Sequence, residues 1–238
     1  MPKTDLSKNH FMLEGNVSLD ICDKLIQMHA DIPFLSDEFS KEEKNALTFP
    51  LQKHKGATAA GHYDANIKDS VDLNIAMNFW HTPSAFSKVF QPYAETVNQY
   101  HIELSRMMSE YIDKLWPDEL KDLPGLRNAK QEWQVRDGML IQKYLPNQGF
   151  KLWHYENSCA NERTVTRQLV FMTFLNDVPG GGTEFYFQNK TIEAKKGKTL
   201  IWPAGFTHVH KGQISKKHVK YIITGWIHGD TASWMNKQ

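Results

Sequence analysis

A chain of 238 residues is long enough for one domain with a sizeable core, and all-β barrels and sandwiches of this length run as single units. Hydrophobic residues make up 40% of it, charged residues 23%, and the formal net charge is +1, a balance with no field strong enough to recruit nucleic acid or an anionic membrane. The first residues, Met1 to Lys8, lack the apolar core of a signal peptide, and no apolar stretch approaches the roughly 18 residues of a membrane span, so a cytoplasmic protein without a membrane partner is expected. Cys22 and Cys159 are too few for a disulfide framework and are expected to be free thiols.

Ser18 is a good cap for Leu19–His29, where Leu19, Cys22, Leu25, Ile26 and His29 recur at helical spacing and Asp20 falls in the first turn. Residues 32–69 are polar and without period, and read as irregular chain that could serve as a flap. Val71, Leu73, Ile75, Met77 and Phe79 then alternate with Asp72, Asn74, Ala76 and Asn78, the period of a half-buried strand. From about Phe90 to Leu115 the spacing is helical again, with Tyr93, Val97, Tyr100, Leu104, Met108, Tyr111 and Leu115 on one stripe, Pro92 near the start and Pro117 marking the end. After residue 130 the character changes. Strands are expected at Gln134–Tyr144, Gln168–Asn176, Thr183–Gln188, Lys198–Trp202 and Val219–Ile227, with Gly and Pro in nearly every gap. The reading is a single α+β domain over 1–238, with a helix-rich portion at 1–130 and an antiparallel jelly-roll or barrel-like core at 131–230.

Two imidazoles and a carboxylate on one face of Fe(II) leave the remaining coordination positions open for a cosubstrate and dioxygen, which is how non-haem oxygenases are built. A histidine two residues before an acid occurs at five places: His29/Asp31, His62/Asp64, His101/Glu103, His154/Glu156 and His228/Asp230. Their surroundings sort them. His29 and His101 lie in helical segments, where residues two apart point to different sides. His228/Asp230 ends the last strand with little chain left to bring a third ligand, and His62/Asp64 reads as solvated loop. His154/Glu156 follows a strand and its turn, and residues two apart in extended chain face the same side, so both can reach one ion.

A third ligand must come from a distant segment. His208 and His210 both stand beside a strand, and spacing does not separate them. Lys220 shares a strand face with Ile222, Thr224 and Trp226, an unusual setting for an open surface, and suggests a cosubstrate that carries a carboxylate. Trp153, Tyr155, Asn157, Arg163 and Arg167 flank the metal segment and could line a substrate mouth; ordinary packing for the aromatics and a solvated loop for the arginines is the plainer reading. Gly180–Gly182 reads as a turn, because neither a helix nor GK[ST] follows.

Tyr144-Leu-Pro-Asn-Gln-Gly-Phe-Lys-Leu-Trp-His154-Tyr-Glu156 is followed by Thr173-Phe-Leu-Asn176. Next come Gly180-Gly-Gly-Thr-Glu-Phe185 and Ile192-Glu-Ala-Lys-Lys-Gly-Lys-Thr-Leu-Ile-Trp202, and finally Lys220-Tyr-Ile-Ile-Thr-Gly-Trp226. In order and spacing these blocks resemble the Fe(II)/2-oxoglutarate-dependent dioxygenases, and within them the prolyl 4-hydroxylase-like branch. The resemblance implies a double-stranded β-helix (jelly-roll) core with N-terminal and supporting α-helices. It also implies Fe(II) on His154, Glu156 and His210 as the catalytic set, and 2-oxoglutarate held by Tyr144, Thr173, Lys220, Thr224 and Trp226. It selects His210 over His208, since in that branch the basic residue follows the distal histidine by nine or ten positions. The implied reaction consumes O2, is stimulated by ascorbate, releases succinate and CO2, and hydroxylates an unactivated C–H, on a peptidyl proline or another amino-acid side chain of a peptide or on a small molecule. Nucleic-acid bases are a less favoured substrate, given the near-neutral charge and a lysine in place of that branch's arginine pattern. A jelly-roll binding domain without activity is the competing reading, which the intact ligand set opposes. One departure stands out: most of the family carries aspartate where this chain has Glu156, a methylene longer.

Overall fold

The computed structural model describes residues 6–32, 34, 51–56, 63–75, 84–115, 133–158 and 162–229. The strands are β1 (Leu13–Asn16), β2 (Leu51–Lys55), β3 (Val71–Ile75), β4 (Gln134–Tyr144), β5 (Arg167–Phe174), β6 (Val178–Phe185), β7 (Lys190–Ala194), β8 (Lys198–Pro203), β9 (His210–Gly212) and β10 (Lys220–His228). They form a seven-stranded sheet in the order β1-β8-β5-β10-β4-β3-β2 and a three-stranded sheet in the order β7-β6-β9, with antiparallel pairing throughout. Helices α1 (Leu19–Asp31) and α2 (Ser84–Leu115) and the single turn α3 (Glu162–Val165) complete the described elements. None of the described helices is long and apolar enough to cross a membrane.

Strand periodicity divides the large sheet into two faces. Leu169 and Phe171 of β5, Ile223 and Ile227 of β10, Met139 and Ile141 of β4, and Leu73 and Ile75 of β3 join Leu25 and Met28 of α1 and Val97, Tyr100, Leu104 and Tyr111 of α2 in one apolar cluster. The opposite face contributes Val170, Met172, Phe174, Ile222 and Tyr144 to a second cluster with Val178, Phe185, Ile192 and Ala194 of the small sheet. Helices, large sheet and small sheet thus make three layers around two cores, the α+β jelly-roll arrangement expected from the sequence. Each large apolar side chain buried in this way contributes about 1.5–3 kcal/mol. Gly225 leaves room within the large sheet for the ring of its cross-strand neighbour Phe171, because a Cβ there would lie 2.5 Å from Phe171 Cζ.

Several elements differ from the expectation. Ser18 occupies the N-cap position of α1 but makes no cap hydrogen bond; its hydroxyl and its amide both donate to the Glu103 carboxylate at 2.8 Å, tying α1 to α2. Leu19, placed on the apolar stripe by spacing, is exposed, while Ile21 and Met28 are buried. Helix α2 starts at Ser84 and carries Pro92 inside it, so the proline removes one hydrogen bond without setting the boundary. Strand β2 falls within the stretch read as irregular: Leu-Gln-Lys-His-Lys has one apolar residue and lies at the sheet edge, and its Lys53 ammonium donates to Ile32 O at 2.7 Å, just past the end of α1. Residues 33, 35–50 and 57–62, which hold most of the suggested flap, lie outside the described residues, as do Met77 and Phe79. Gly180–Gly182 is not a turn between strands. These glycines lie inside β6 as an irregularity, with Gly180 at φ +67° and the pairing shifting between Val178↔Ala194 and Thr183↔Ile192. The turn comes after β6, where Tyr186 and Phe187, expected in a strand, are exposed.

Candidate metal centre and anion pocket

His154 lies ten residues beyond the end of β4 and pairs with the first residue of β9: the amide of each donates to the carbonyl of the other, His154 N to His210 O at 3.0 Å and His210 N to His154 O at 2.9 Å. The Glu156 amide donates to Ala204 O at 3.0 Å and the Asn157 amide to the same carbonyl at 2.9 Å, so the segment is laced to the end of β8. The ligand-capable atoms of His154, Glu156 and His210 lie within 4.8 Å of one another. Nε2 of His154 is 3.5 Å and Nε2 of His210 is 3.8 Å from Glu156 Oε1. Phe150 stacks on His154 with ring centroids 3.7 Å apart, and Trp202 meets His210 edge-on.

The outer hydrogen bonds fit these residues to a metal ion. His154 Nδ1 lies 2.9 Å from Leu152 O and His210 Nδ1 lies 2.9 Å from His208 O. A carbonyl only accepts, so each Nδ1 carries the proton and each Nε2 keeps its lone pair toward the cluster, the pattern that supports imidazole ligands. Burial lowers the His210 pKa to about 4, which keeps the ring neutral at physiological pH. For Glu156 burial acts to raise the pKa, but contact with His154 and the cationic groups around it, Arg167 among them, outweigh it and hold the carboxyl at about 2. Two imidazoles and one carboxylate are the donor set that non-haem iron takes.

The cluster opens on a cavity of about 740 Å³ lined by residues of both sheets, Met172, Thr183, Lys220, Ile222, Thr224 and Trp226 among them. Lys220 is 5% exposed. Its Nζ donates to Gly181 O at 3.1 Å and Gln213 O at 3.0 Å and sits over the Tyr144 ring, and among the described residues no acid pairs with it. The β6 irregularity is what brings the Gly181 carbonyl to that ammonium. Burial lowers the lysine's pKa to about 8.

The sequence-derived residues do not all meet in this cavity. Tyr144, Lys220, Thr224 and Trp226 line it. Thr173 does not. It stands on the helix-facing side of β5, where its hydroxyl bonds Tyr100 at 3.0 Å and Thr199 at 2.7 Å; Met172, its neighbour of opposite orientation, faces the cavity. The Tyr144 hydroxyl, expected on the cosubstrate, donates to Gln142 Oε1 at 2.7 Å, and Thr224 Oγ1 donates to Phe171 O at 2.7 Å. The Trp226 indole N–H donates to Glu156 Oε2 at 2.9 Å. Arg167 is not on a solvated loop: it is buried at the start of β5, with its guanidinium 3.4 Å from the same oxygen. Trp153 and Tyr155 are partly exposed beside the cavity, Asn157 braces the loop by donating to Arg167 O at 3.0 Å, and the Arg163 side chain lies outside the described residues.

Three other candidate histidines lie apart from the cluster. His208 Nε2 lies 2.7 Å from His10 O, away from the cluster, so the choice of His210 agrees with the geometry. His29 is buried in the helix-side core against Val71 O, and His228 bonds Thr166. Lys68, Asp72 and Gln142 also line the cavity and were not anticipated. A polar residue alternating with apolar ones reads as solvent-facing, and nothing in the period tells a wet cavity from open water.

Residues 139–228 match the family model of the 2OG-Fe(II) oxygenase superfamily. The match covers the jelly-roll part of the chain, and the fold of the whole is shared with solved prolyl hydroxylases. A Trichoplax adhaerens prolyl hydroxylase in complex with a hypoxia inducible factor oxygen degradation domain peptide fragment superposes with a TM-score of 0.60 at 14% identity, covering 100% of this chain and 92% of that one. A Pseudomonas putida prolyl-4-hydroxylase gives 0.59 at 14% identity over 95% and 96% of the two chains. The viral collagen prolyl hydroxylase of Paramecium bursaria Chlorella virus-1, in its 2OG complex, gives 0.52 at 14% over 93% and 97%. None of the curated proteins matches the chain in sequence.

Proposed function

We propose that this protein is an Fe(II)- and 2-oxoglutarate-dependent dioxygenase that hydroxylates an unactivated C–H of a peptidyl proline or another amino-acid side chain. The observation that carries the reading is a two-imidazole and carboxylate cluster sharing one cavity with a buried lysine that has no acidic partner among the described residues. His154, Glu156 and His210 would hold the iron, and Lys220 would meet the far carboxylate of 2-oxoglutarate, since a buried ammonium bonded only to carbonyls is stabilised by an incoming anion. Iron and 2-oxoglutarate together supply the oxidising chemistry, in which dioxygen is consumed and succinate and CO2 are released. The chain's own part is to orient and enclose. Phe150 and Trp202 fix the two imidazoles by ring contact, Ile222 and Met172 exclude water from the cavity floor, and Trp153 and Tyr155 offer aromatic surface at its side to a peptide. The peptide-bound Trichoplax relative supports a polypeptide substrate, and the near-neutral charge weighs against nucleic acid. A cytoplasmic location goes with this reading.

The test is 2-oxoglutarate turnover to succinate under air with Fe(II) and ascorbate, with and without a proline-rich peptide. Wild type is expected to form succinate and His210→Ala and Lys220→Ala to form none, with the peptide raising the wild-type rate. Absence of both succinate and bound Fe(II) in the wild type would replace the enzyme with a binding domain.

A further inference from the structure

The two oxygens of Glu156 face different chemistry. Oε2 accepts the Trp226 indole N–H at 2.9 Å and the Arg167 guanidinium at 3.4 Å. Oε1 faces Nε2 of His154 and of His210, both of which carry lone pairs toward it because their Nδ1 atoms bond carbonyls. The two donors on Oε2 are also fixed to each other, with the Arg167 guanidinium carbon 3.5 Å from the centre of the Trp226 ring. Arg167 further approaches the Glu156 carbonyl at 3.4 Å, and its own carbonyl accepts from Asn157. Side chain and backbone of the acid are therefore gripped by the same few residues.

We infer that Arg167 and Trp226 are positioning residues that commit Oε2 to the protein and present Oε1 alone to the metal, making Glu156 a one-oxygen ligand. The inference rests on the metal reading proposed above. Its physical basis is the extra methylene. A glutamate has one more rotatable bond than an aspartate and reaches about 1.5 Å further. Left free, its carboxylate could swing away from the imidazoles, or chelate with both oxygens and fill a position that a cosubstrate needs. A cationic donor and an indole N–H on one oxygen remove both freedoms, and hydrogen-bonding partners of this kind set ligand orientation and metal affinity. The clamp also accounts for a buried guanidinium and an indole N–H in a cavity wall, where both need an acceptor.

The experiment is a metal titration that needs no turnover. Mn(II) binding is measured anaerobically from the EPR signal of the free ion, for the full chain and for His210→Ala, Trp226→Phe, Arg167→Met, Glu156→Asp and the double variant Glu156→Asp/Trp226→Phe, with thermal unfolding of each. Trp226→Phe keeps the ring and Arg167→Met keeps a stem over it, so both are expected to fold. Each is expected to weaken Mn(II) binding by roughly 10-fold or more. Glu156→Asp is expected to weaken it as well, because the shorter side chain cannot meet the clamp and the ion together. In that background Trp226→Phe should change the Kd by less than about twofold, since an aspartate that has left the clamp has nothing further to lose. Equal losses in both backgrounds overturn the clamp while the metal site stands, as does unchanged affinity in Trp226→Phe and Arg167→Met. No Mn(II) binding by wild type, with His210→Ala indistinguishable from it, overturns the metal site and the clamp with it.

Discussion

Lys68 and Lys220 line the same cavity, are 4% and 5% exposed, and are held in opposite ways. Lys68 pairs with Asp72 at 2.5 Å, and Ser70 Oγ donates to the other oxygen of that carboxylate at 2.7 Å. Its charge is cancelled inside the protein. Lys220 has the carbonyls of Gly181 and Gln213 and the face of Tyr144, and no acid among the described residues. A buried cation without a counter-charge is unfavourable by several kcal/mol. Burial is thus common to both and decides nothing; one carboxylate, present beside Lys68 and absent beside Lys220 among the described residues, separates the two lysines.

The contrast breaks most sharply at Asp72. Asp72→Asn keeps the shape of the side chain but leaves Lys68 buried and uncompensated, and is expected to lower stability by about 3–5 kcal/mol. Lys68→Met/Asp72→Leu, which removes both charges, should recover most of that loss, and denaturant unfolding of the two variants reads the difference. Lys220→Met is expected to do the reverse. Truncating one member of a buried charge pair costs about 2–5 kcal/mol, so 2-oxoglutarate binding should weaken by roughly 100-fold. The ligand-free protein should melt no lower than wild type, because an unpaired buried charge has been taken away. Calorimetric titration and thermal unfolding check the two halves, and a fall in melting temperature without loss of binding would make Lys220 a structural residue.

Legibility in the sequence followed the physics of each signal. The strands β4, β5, β8 and β10 could be read because burial on both faces gives long apolar runs, as in Gln168 to Phe174, and β3 through its alternation. The edge strands β1 and β2 could not, since Leu-Glu-Gly-Asn and Leu-Gln-Lys-His-Lys are polar for the very reason that they lie at the edges. That His154 and Glu156 stand together in one cavity with Lys220 could be read from spacing and setting, and that His210 joins them once the resemblance was added. Thr173 was misplaced because a motif position carries no record of which face of the strand is wet. Asp72 and Arg167 escaped for a related reason. Their roles depend on Lys68 in the bridge to Phe150 that precedes β3 and on Glu156 in the segment beyond β4, and no period within a single strand records a partner on another segment.

A pH series sharpens the comparison further, because two properties of Lys220 should move in opposite directions. Its pKa is about 8 in the ligand-free fold, against 10.5 for the unconstrained side chain. Between those values the unfolded chain holds a proton that the folded chain has released, so the buried ammonium destabilises the fold in full below about pH 8 and that penalty is relieved as pH rises through the window. An anion requires the ammonium, so 2-oxoglutarate affinity should fall as pH rises above about 8, approaching tenfold per unit. The difference between wild type and Lys220→Met isolates both trends from other titrating groups. Affinity independent of pH between 7 and 9.5 would mean that another group holds the anion.

The smallest effect concerns the other face of the same sheet. Thr173→Val removes a hydroxyl that bonds Tyr100 and Thr199 in the helix-side core, where Tyr100 is fully buried. The isosteric methyl fills the space, so the loss is that of hydrogen bonds with two partners left in place, about 1–2 kcal/mol. Because Met172 and not Thr173 faces the cavity, 2-oxoglutarate affinity should stay within about twofold of wild type, a difference worth under 0.5 kcal/mol. Lys220→Met is expected to keep stability and lose the ligand, and Thr173→Val to lose stability and keep the ligand. A tenfold loss of 2-oxoglutarate in Thr173→Val, with stability unchanged, would place the threonine at the cosubstrate and would require β5 to turn its other face to the cavity.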